Sequence, residues 1–476
     1  MDDLIKVGFG SSGVRGLVTD LTDDVCFAYS LSFLQHLRSQ GLAAAGSRVA
    51  LGHDLRPSSP RISQACIAAI RFAGLEVDFC GPVPTPTLAL HGLAHHLPAI
   101  MITGSHIPFD RNGIKFYGPS GEILKPDELA IREGLAHLPA GWRQQVVLAP
   151  LPEIDGRALA DYKARYVGAF PRDLLAGQRI GIYQHSSVAR DLLSDLVASL
   201  GGEPVALGRS DQFVPIDTEA VQEDTQELAR AWAAEYHLSA ILSTDGDADR
   251  PLIGDEAGTF LRGDEVGILT SLFLKAQVVV TPVSSNSGLE RTGAFAQILR
   301  TRIGSPYVID GMLQARAEDA SRRIVGFEAN GGFLTESAVT VGGVDLSPLP
   351  TRDAVLPMLC LLALAKEEGK PLSSLRQRLP ARFTASGRLA ELSPPQVERV
   401  RTLVADPAAL AVALDYGALQ ETNLVDGARL TFQNGAIVHF RMSGNAPEMR
   451  CYTEAESFAE ASAVLARMLA KMQTLL

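Results

Sequence analysis

The stretch TGSHIPFDRNGIKFY, residues 103–117, brings a hydroxyl, an imidazole and an ammonium close together in the chain, at Ser105, His106 and Lys115. The apolar run before it, residues 97–102, is typical of a short buried strand, so Ser105 is expected at a strand's carboxyl end, where open α/β sheets bind ligands. A proline and a glycine within the stretch bar a regular helix and predict irregular backbone for all three residues. Ser105 is then a candidate nucleophile, and the alternative is a surface loop with an ordinary serine and lysine.

A second stretch, DGDADR at residues 245–250, follows a predicted strand and carries carboxylates at alternate positions, Asp245, Asp247 and Asp249. Carboxylates this close repel one another unless a cation compensates them, and Mg²⁺ is the simplest divalent cation that prefers oxygen ligands. An EF-hand loop would need glycine where Arg250 stands and a helix before it. A haloacid-dehalogenase-like phosphatase, with Asp245 as nucleophile, and a solvated acidic turn remain as alternatives.

Two arginines, Arg441 and Arg450, flank a turn near the C-terminus in the segment RMSGNAPEMR. The hydroxyl and backbone amides of Ser443, Gly444 and Asn445 could surround an oxyanion, and the guanidiniums would add bidentate charge-assisted contacts. The segment predicts a phosphate site, with a plain surface hairpin as the alternative.

Two glycine-rich turns carry further polar side chains. The segment VGFEANGGF sets Glu328 and Asn330 after a short apolar strand, where they could bind vicinal sugar hydroxyls or simply form a turn. Residues 8–13, GFGSSG, have the letters of a dinucleotide-binding fingerprint but lack the helix and the acidic residue that it requires. Arg15, beside this turn, suits a phosphate better than a dinucleotide cofactor.

Alternating strand and helix patterns must position these residues. In the first part of the chain the patterns predict helices at residues 22–38 and 60–72, strands at 48–52, 76–81 and 97–102, and a Pro-rich turn at 82–87. Such alternation favours a mostly parallel sheet. The next part repeats it, with helices at 158–169, 188–200 and 225–237, strands at 179–184 and 240–244, and a turn at 201–204. The last part, with strands at 436–442 and 450–455 and an amphipathic helix from Phe458, is typical of an α+β unit.

Composition limits the class of protein. The 476 residues, 46% of them hydrophobic, predict a globular protein of several domains, and the formal charge of −11 argues against general binding to nucleic acid or anionic membranes. Five cysteines without a C-x-x-C pair indicate reduced thiols. The N-terminus has no basic segment followed by an apolar one, and the longest apolar run, residues 354–365, is too short to span a bilayer. A cytoplasmic protein is predicted.

Five blocks of this chain resemble, in the same order, the motifs of the α-D-phosphohexomutases. The blocks are FGSSGVRG, TGSHIP with the downstream NGIK, DGDADR, GFEANGG and RMSGNAPEMR. The resemblance implies an α/β architecture of four domains around a central cleft, with three α/β domains of mixed or parallel sheets and a smaller α+β C-terminal domain. The implied domains carry the serine, metal, sugar and phosphate loops in turn and span residues 1–150, 151–256, 257–372 and 373–476.

The resemblance also implies a role for each block. Ser105 would carry a phosphoryl group, and Mg²⁺ would bind the three aspartates together with a phosphoserine oxygen. Arg15 and Arg250 would neutralise the transferring group, while Lys115 and His106 would handle protons. Glu328 and Asn330 would bind sugar hydroxyls. The phosphate that is not transferred would be held by Arg441, Ser443, Gly444, Asn445 and Arg450.

The implied activity is that of a phosphohexomutase, which reversibly interconverts the 1- and 6-phosphates of mannose or glucose through a phosphoserine enzyme and a hexose 1,6-bisphosphate intermediate. Its cofactors would be Mg²⁺ and hexose 1,6-bisphosphate as activator. Its partners would be small phosphosugars, with no nucleic acid or membrane, and the protein would be a monomer or homodimer. A phosphoglucosamine mutase and a Mg²⁺-dependent sugar-phosphate phosphatase are the alternatives.

Some positions depart from the family motifs. Ile107 stands where asparagine is usual, Asn330 replaces a serine, and Gly332 occupies a site where some members have histidine. Loss of that histidine shifts the expected acid/base role toward Lys115. Met442, Asn445 and Ala446 also differ, yet the phosphate loop keeps residue types that bind anions.

Overall fold

The first part of the chain forms a seven-stranded sheet with helices. The computed structural model describes residues 7–10, 13–443 and 447–476. The elements of this part are β1 (Gly8–Phe9), β2 (Val14–Leu17), α1 (Asp23–Ser39), β3 (Arg48–His53), α2 (Ser59–Phe72), β4 (Glu76–Pro82), α3 (Thr85–His95), β5 (Ala99–Ile102), β6 (Arg111–Gly118), β7 (Gly121–Glu122) and α4 (Lys125–Gly134).

The strand order in this sheet is β1-β2-β6-β5-β3-β4, with β7 beside β6. Strands β5, β3 and β4 pair in parallel, whereas β1, β2, β6 and β7 join the sheet through antiparallel pairs. The expectation of a mostly parallel sheet is therefore wrong for this part. The chain turns from β5 back into β6 through residues 103–110, a connection too short for the crossover helix that a parallel pair needs.

The Pro-rich segment after β4 contains the start of a helix. Helix α3 begins at Thr85, with proline in its first turn, and fills the interval that the sequence patterns left without an element. Proline fits there because the first turn of a helix does not use its own amides. The backbone amide and hydroxyl of Thr85 both donate to Asp247, so the start of α3 contacts the DGDADR loop.

The second part forms a four-stranded sheet of order β11-β10-β8-β9. Its elements are α5 (Arg157–Ala169), β8 (Arg179–His185), α6 (Arg190–Ser199), β9 (Glu203–Arg209), α7 (Glu223–Tyr236), β10 (Ala240–Thr244) and β11 (Pro251–Gly254). Strand β8 pairs in parallel with β9 and β10, and β10 pairs antiparallel with β11. Residues 245–250 are therefore the turn of a hairpin, and β9 is a strand where the patterns predicted only a turn.

The third part forms a five-stranded sheet of order β13-β12-β14-β15-β18 and a separate hairpin of β16 and β17. Its elements are α8 (Gly263–Phe273), β12 (Val278–Pro282), α9 (Gly288–Arg291), β13 (Gln297–Thr301), α10 (Ser305–Glu318), β14 (Ile324–Phe327), β15 (Phe333–Thr335), β16 (Val339–Val341), β17 (Val344–Leu346), β18 (Leu349–Asp353) and α11 (Val355–Glu368). The longest apolar run of the sequence forms most of α11, which is buried from Val355 to Ala365. Among the described helices, none has the length and apolar character to cross a membrane.

The last part forms a fully antiparallel five-stranded sheet of order β19-β23-β22-β21-β20. Its elements are β19 (Phe383–Leu389), α12 (Pro394–Ala405), α13 (Pro407–Leu414), β20 (Leu419–Asn423), β21 (Ala428–Phe432), β22 (Ile437–Met442), β23 (Met449–Ala455) and α14 (Phe458–Leu475). Helix α14 packs on β19 and β23. This arrangement is α+β, as the sequence predicts, and the chain as a whole is a mixed α/β protein.

One hydrophobic core runs through the first three parts and joins them. It includes Met101 of β5, Leu242 of β10 and Phe327 of β14, all nearly inaccessible to solvent. At its edge, the hydroxyls of Tyr162 and Tyr166 on α5 both donate to Asp353 at the end of β18. The loops that follow β5, β10 and β14 are thereby held in fixed relation. All five cysteines are buried as free thiols.

Candidate active site

Ser105 lies in a strained conformation at the meeting point of two loops. It is fully buried, its φ is +54°, and its Oγ donates to Asp245 Oδ2 at 2.5 Å. A serine with positive φ is uncommon and needs surrounding contacts to persist. Its amide donates to Thr103 Oγ1 at 2.7 Å, and the Thr103 hydroxyl donates to Asp54 Oδ2 at 2.8 Å. The serine loop is thus tied both to its own sheet and to the DGDADR loop.

Arg56 fastens the serine loop through backbone carbonyls. Its guanidinium, completely buried, donates to the carbonyl oxygens of Ser105, Ile107, Pro108 and Arg111 at distances of 2.5 to 2.9 Å. These contacts use the backbone, so the isoleucine at 107 takes part without the polar side chain that the family motif supplies. Sequence reasoning missed Arg56; the only local signal was a charged residue in the polar loop after the strand β3.

The two loops can approach because residue 246 is glycine. A Cβ at Gly246 would lie 2.9 Å from the Ser105 carbonyl oxygen and 3.0 Å from the Phe213 ring. Phe213 in turn lies under the Arg56 guanidinium, 3.9 Å from the ring centroid. The glycine of the DGDADR motif therefore serves close packing against the nucleophile loop.

The three aspartates converge as their alternate spacing predicts. Asp245, Asp247 and Asp249 are fully buried, and one carboxylate oxygen from each lies within 4.8 Å of the others. Burial, and then the carboxylates of Asp247 and Asp249, raise the pKa of Asp245 well above its ordinary value. The Oδ1 atoms of Asp247 and Asp249 are buried without a hydrogen-bond partner among the described residues. Three converging aspartates with carboxylate oxygens that no hydrogen bond from a described residue satisfies suit a divalent cation with oxygen ligands, so these residues fit Mg²⁺.

Lys115 lies in strand β6, so the prediction of irregular backbone is wrong for this residue. The glycine and asparagine before it belong to the strand as well, because β6 is the antiparallel return of β5. The Lys115 ammonium donates to Asp247 Oδ2 and to Asp249 Oδ2, each at 2.7 Å. Burial alone would lower the pKa of Lys115, but the charges of the two aspartates outweigh it and raise the pKa.

His106 and two arginines surround the hydroxyl of Ser105. The His106 Nδ1 lies 3.3 Å from Ser105 Oγ and accepts from Arg250 Nη1 at 2.9 Å. The charge of Arg250, followed by burial, holds the pKa of His106 far below its ordinary value, so the imidazole is neutral. Arg15 on β2 lies in the same electrostatic environment, since burial and the guanidiniums of Arg250 and Arg352 lower the pKa of Arg15 to about 10.

The predicted sugar-binding turn joins β14 to β15 and meets this cluster through an arginine. Arg352 of β18 donates to Glu328 Oε2 at 2.9 Å and to Asp249 Oδ2 at 2.8 and 3.0 Å. Asn330 uses its side-chain oxygen to accept from the amide of Gly332 at 3.0 Å, so its amide group is what it can offer a ligand. Sequence reasoning missed Arg352, which follows Glu328 by a whole hairpin and a strand.

The predicted phosphate site contains a row of arginines. Arg441 and Arg450 are directly paired on β22 and β23, and Arg388 of β19 pairs with Arg450 from the other side. Like charges directly opposite one another destabilise a sheet unless something compensates them. Glu448 accepts from Arg388 and Arg450, and Asp426 accepts from Arg441. Ser443 directly follows β22, and its amide donates to the Glu448 carbonyl oxygen at 2.9 Å, while Gly444 and Asn445 lie outside the described residues.

The structure brings most of the predicted residues together. Hydrogen bonds and ion pairs connect Ser105, His106, Lys115, Asp245, Asp247, Asp249, Arg250 and Glu328 into one cluster, which Arg15 adjoins electrostatically. Within the described part of the chain, Arg441 and Arg450 pair with Asp426 and Glu448 and make no hydrogen bond or ion pair to that cluster. These two arginines form a second, separate group on the C-terminal sheet.

Comparisons with known proteins identify the family. Two family models, described as Phosphoglucomutase/phosphomannomutase, alpha/beta/alpha domain I and domain III, match residues 6–139 and 262–383. A phosphomannomutase from Salmonella muenchen is 44% identical over 475 residues, which are 98% of this chain and 96% of that protein. A phosphoglucosamine mutase from Caulobacter vibrioides is 30% identical, with 94% of each chain covered.

Fold comparison agrees with the sequence relatives. The crystal structure of a phosphoglucomutase/phosphomannomutase family protein from Burkholderia thailandensis matches with a TM-score of 0.76 at 20% identity, covering 100% of this chain and 97% of that one. The chain therefore belongs to the phosphoglucomutase/phosphomannomutase family, and the resemblance of its five sequence blocks to the phosphohexomutases is confirmed.

Proposed function

We propose that this protein is a phosphohexomutase that interconverts hexose 1-phosphate and hexose 6-phosphate through a phosphorylated Ser105 and a hexose 1,6-bisphosphate. The observation that carries the proposal is the buried Ser105 hydroxyl, 2.5 Å from an aspartate of a three-carboxylate cluster that suits a divalent cation. Mannose and glucose phosphates are the favoured substrates, since the phosphomannomutase relative is 44% identical and the phosphoglucosamine mutase relative 30%.

The chemistry is a phosphoryl transfer in each direction. A sugar hydroxyl oxygen bonds to the phosphorus of phosphoserine 105 as the bond from phosphorus to the serine oxygen breaks, which gives the bisphosphate. After the bisphosphate turns round, Ser105 Oγ bonds to the other phosphorus as the bond from that phosphorus to the sugar oxygen breaks, which restores phosphoserine and leaves the isomeric monophosphate. Asp245, Asp247 and Asp249, with a phosphoserine oxygen, would hold Mg²⁺, which supplies charge compensation for the transferring group.

Positive charge around the serine would stabilise the transferring group. Arg250 and Arg15 flank the Ser105 loop, and both remain guanidinium cations at neutral pH. Lys115 is held protonated by two aspartates and is therefore suited to give a proton to a leaving oxygen. Neutral His106 is suited to hold Arg250 beside the serine oxygen, since its Nδ1 accepts from Arg250 and its lowered pKa makes it a weak base.

Binding of the rest of the substrate would fall to the other two loops. Glu328 and Asn330 would contact sugar hydroxyls. The phosphate that is not transferred would lie against Arg441, Ser443, Gly444, Asn445 and Arg450. We place the four domains at residues 1–150, 151–256, 257–372 and 373–476, because each of the four main sheets draws its strands from one of these ranges.

The test is covalent labelling of the serine. Wild-type protein incubated with Mg²⁺ and hexose 1,6-bisphosphate should gain one phosphate on the peptide that contains Ser105, as read by mass spectrometry. Ser105→Ala should gain none and lose turnover while keeping its melting temperature, because the hydroxyl is the only covalent carrier in the scheme. An unlabelled wild-type peptide, or hydrolysis of sugar phosphates without isomer formation, would contradict a mutase and favour a phosphatase.

A further inference from the structure

Residue 332 has no room for a side chain because Arg352 occupies the space. A Cβ built on Gly332 would lie 2.6, 2.7 and 3.1 Å from Cδ, Cγ and Cβ of Arg352, and these are its three nearest neighbours. The backbone of Gly332 does not itself require glycine, since its φ lies outside the left-handed region. The aliphatic part of the Arg352 side chain, its stem, thus excludes a side chain at this position, where some family members carry histidine.

Arg352 joins two loops of different function. Its side chain is 4% exposed, and its guanidinium contacts Glu328 of the sugar turn with one edge and Asp249 of the metal loop with the other. Glu328 is equally buried, and Arg352 is its only side-chain hydrogen-bond partner in the described part of the chain. A buried carboxylate without this partner would be left uncompensated, so its position depends on the arginine.

We infer that Arg352 is a positioning residue of the sugar site, and that Gly332 is glycine in order to admit it. By binding Glu328 Oε2, the guanidinium orients this carboxylate and leaves its other oxygen for a sugar hydroxyl. By binding Asp249 Oδ2, it couples the sugar turn to the loop that faces Ser105. The inference rests on the proposed function, since it assumes that Glu328 contacts the sugar.

The test compares substitutions at the two positions by equilibrium binding. Mannose 1-phosphate is titrated calorimetrically into each protein with chelator present, so that no turnover occurs. Arg352→Ala should weaken binding by about 10- to 100-fold, the usual effect of losing a charge-assisted hydrogen bond. Arg352→Lys should recover part of the loss, since lysine restores the charge but lacks the planar fork that meets both carboxylates.

Gly332→Ala supplies the decisive comparison. In the wild-type background it should weaken binding several-fold, because the arginine stem has to move. In the Arg352→Ala background the same substitution should change binding by less than about twofold, since the obstruction is gone. Arg352→Met keeps the stem without the guanidinium, so it should lose sugar binding yet still be sensitive to Gly332→Ala. This variant replaces Arg352→Ala in the comparison if Arg352→Ala does not fold.

Arg316→Ala is the matched control. It breaks an arginine–glutamate pair with Glu336 in the same part of the chain, but its side chain is 54% exposed, and it should bind like wild type. Wild-type affinity in Arg352→Ala, or an equal effect of Gly332→Ala in both backgrounds, would overturn the inference. Failure of the proposed function would look different, because wild type itself would then show neither turnover nor a labelled Ser105.

Discussion

A buried arginine that binds backbone carbonyls explains how a strained serine stays in place. The serine loop and the start of β6 offer four carbonyl oxygens to Arg56, which provides five N–H groups in a rigid fork to meet them. Asp54 neutralises the guanidinium at 3.2 Å and also accepts from Ser59 and Thr103. The position of the nucleophile therefore depends on one buried ion pair rather than on the identity of residue 107.

Removal of the Arg56 guanidinium should be costly for both stability and activity. We expect Arg56→Ala to destabilise the protein by about 3 to 5 kcal/mol, because it leaves Asp54 buried without its partner. Arg56→Lys should retain the charge but satisfy fewer carbonyls, and it should lower kcat more than it raises KM. Chemical denaturation and steady-state kinetics measure both effects. Arg157→Ala, which breaks an exposed pair with Asp155, is the control and should leave kcat unchanged; an equal kcat loss in both variants would contradict a specific role for Arg56.

Elements with strong sequence patterns were predictable. Elements whose pattern is obscured by proline, by burial on nearly all faces or by little alternation were not. Helix α1, with Thr22 as its N-cap, and strand β3 lie where the patterns place them. Helix α3 was missed because its first turn contains proline and its faces are nearly all buried, which removes the polar side that marks a surface helix. Strand β9 was missed since its residues have little alternation.

Within the candidate site, too, residues with a local sequence signal were predictable and those without one were not. The residues on the five blocks could be named because each block carries telling residue types at short spacing, and the five blocks together resemble the phosphohexomutase motifs. Arg56 and Arg352 could not. The carbonyl partners of Arg56 lie 49 to 55 residues away along the chain, and the carboxylate partners of Arg352 lie 24 and 103 residues away. A single arginine in a loop or strand carries no local signal of such partners. The strand position of Lys115 was also hidden, because glycine and asparagine beside it are typical of loops.

Strand β22 contains a histidine whose titration should show in stability. His439 is 2% exposed, its Nε2 donates to the Asp426 carbonyl oxygen at 2.5 Å, and its Nδ1 is buried without a partner in the described structure. Burial is the main reason that the pKa of His439 falls to about 4, with Arg429 and Arg441 acting in the same direction and the Asp426 contacts opposing them. The folded protein therefore keeps this imidazole neutral over a range where the unfolded chain protonates it.

The sign of the pH effect follows from that difference. Between about pH 6.5 and pH 4 the unfolded state binds the extra proton, so His439 should reduce stability as the pH falls, by up to roughly 3 kcal/mol. His439→Gln keeps the donor to Asp426 and removes the titration. Its deficit in melting temperature relative to wild type, measured by calorimetry, should therefore shrink from pH 7 to pH 4.5. A deficit that stays constant over this range would contradict the prediction.

At the scale of the whole molecule, a chain of net charge −11 buries several arginines among the carboxylates of its candidate site. Arg250 ends the DGDADR loop and Arg352 lies on β18, while Arg450 lies on the C-terminal sheet. Burial and Asp217 raise the pKa of Glu219, and both Arg250 and Arg450 oppose that rise. The charges of Arg250 and Arg450 thus both act on Glu219, although the first belongs to the cluster around Ser105 and the second to the C-terminal sheet. Local guanidiniums are what a small anion needs for binding in a protein that is acidic as a whole.

The arginine row of the C-terminal sheet supports a prediction about direction. A bisphosphate that turns round must present either of its phosphates to one fixed anion site, so that site has to serve the 6-phosphate of one substrate and the 1-phosphate of the other. Arg441, 15% exposed beside Asp426, is the least exposed arginine of the row and should contribute most. Arg441→Ala should lower kcat/KM about 10- to 100-fold in the forward and reverse directions alike, as expected for the loss of one charge-assisted contact.

Kinetics begun separately from the 1-phosphate and the 6-phosphate measure the loss in each direction, and Arg401→Ala, at an exposed arginine, is the control. Phosphorylation of Ser105 by bisphosphate should persist in the variant, and a defect confined to one direction would rule out a shared site for both phosphates.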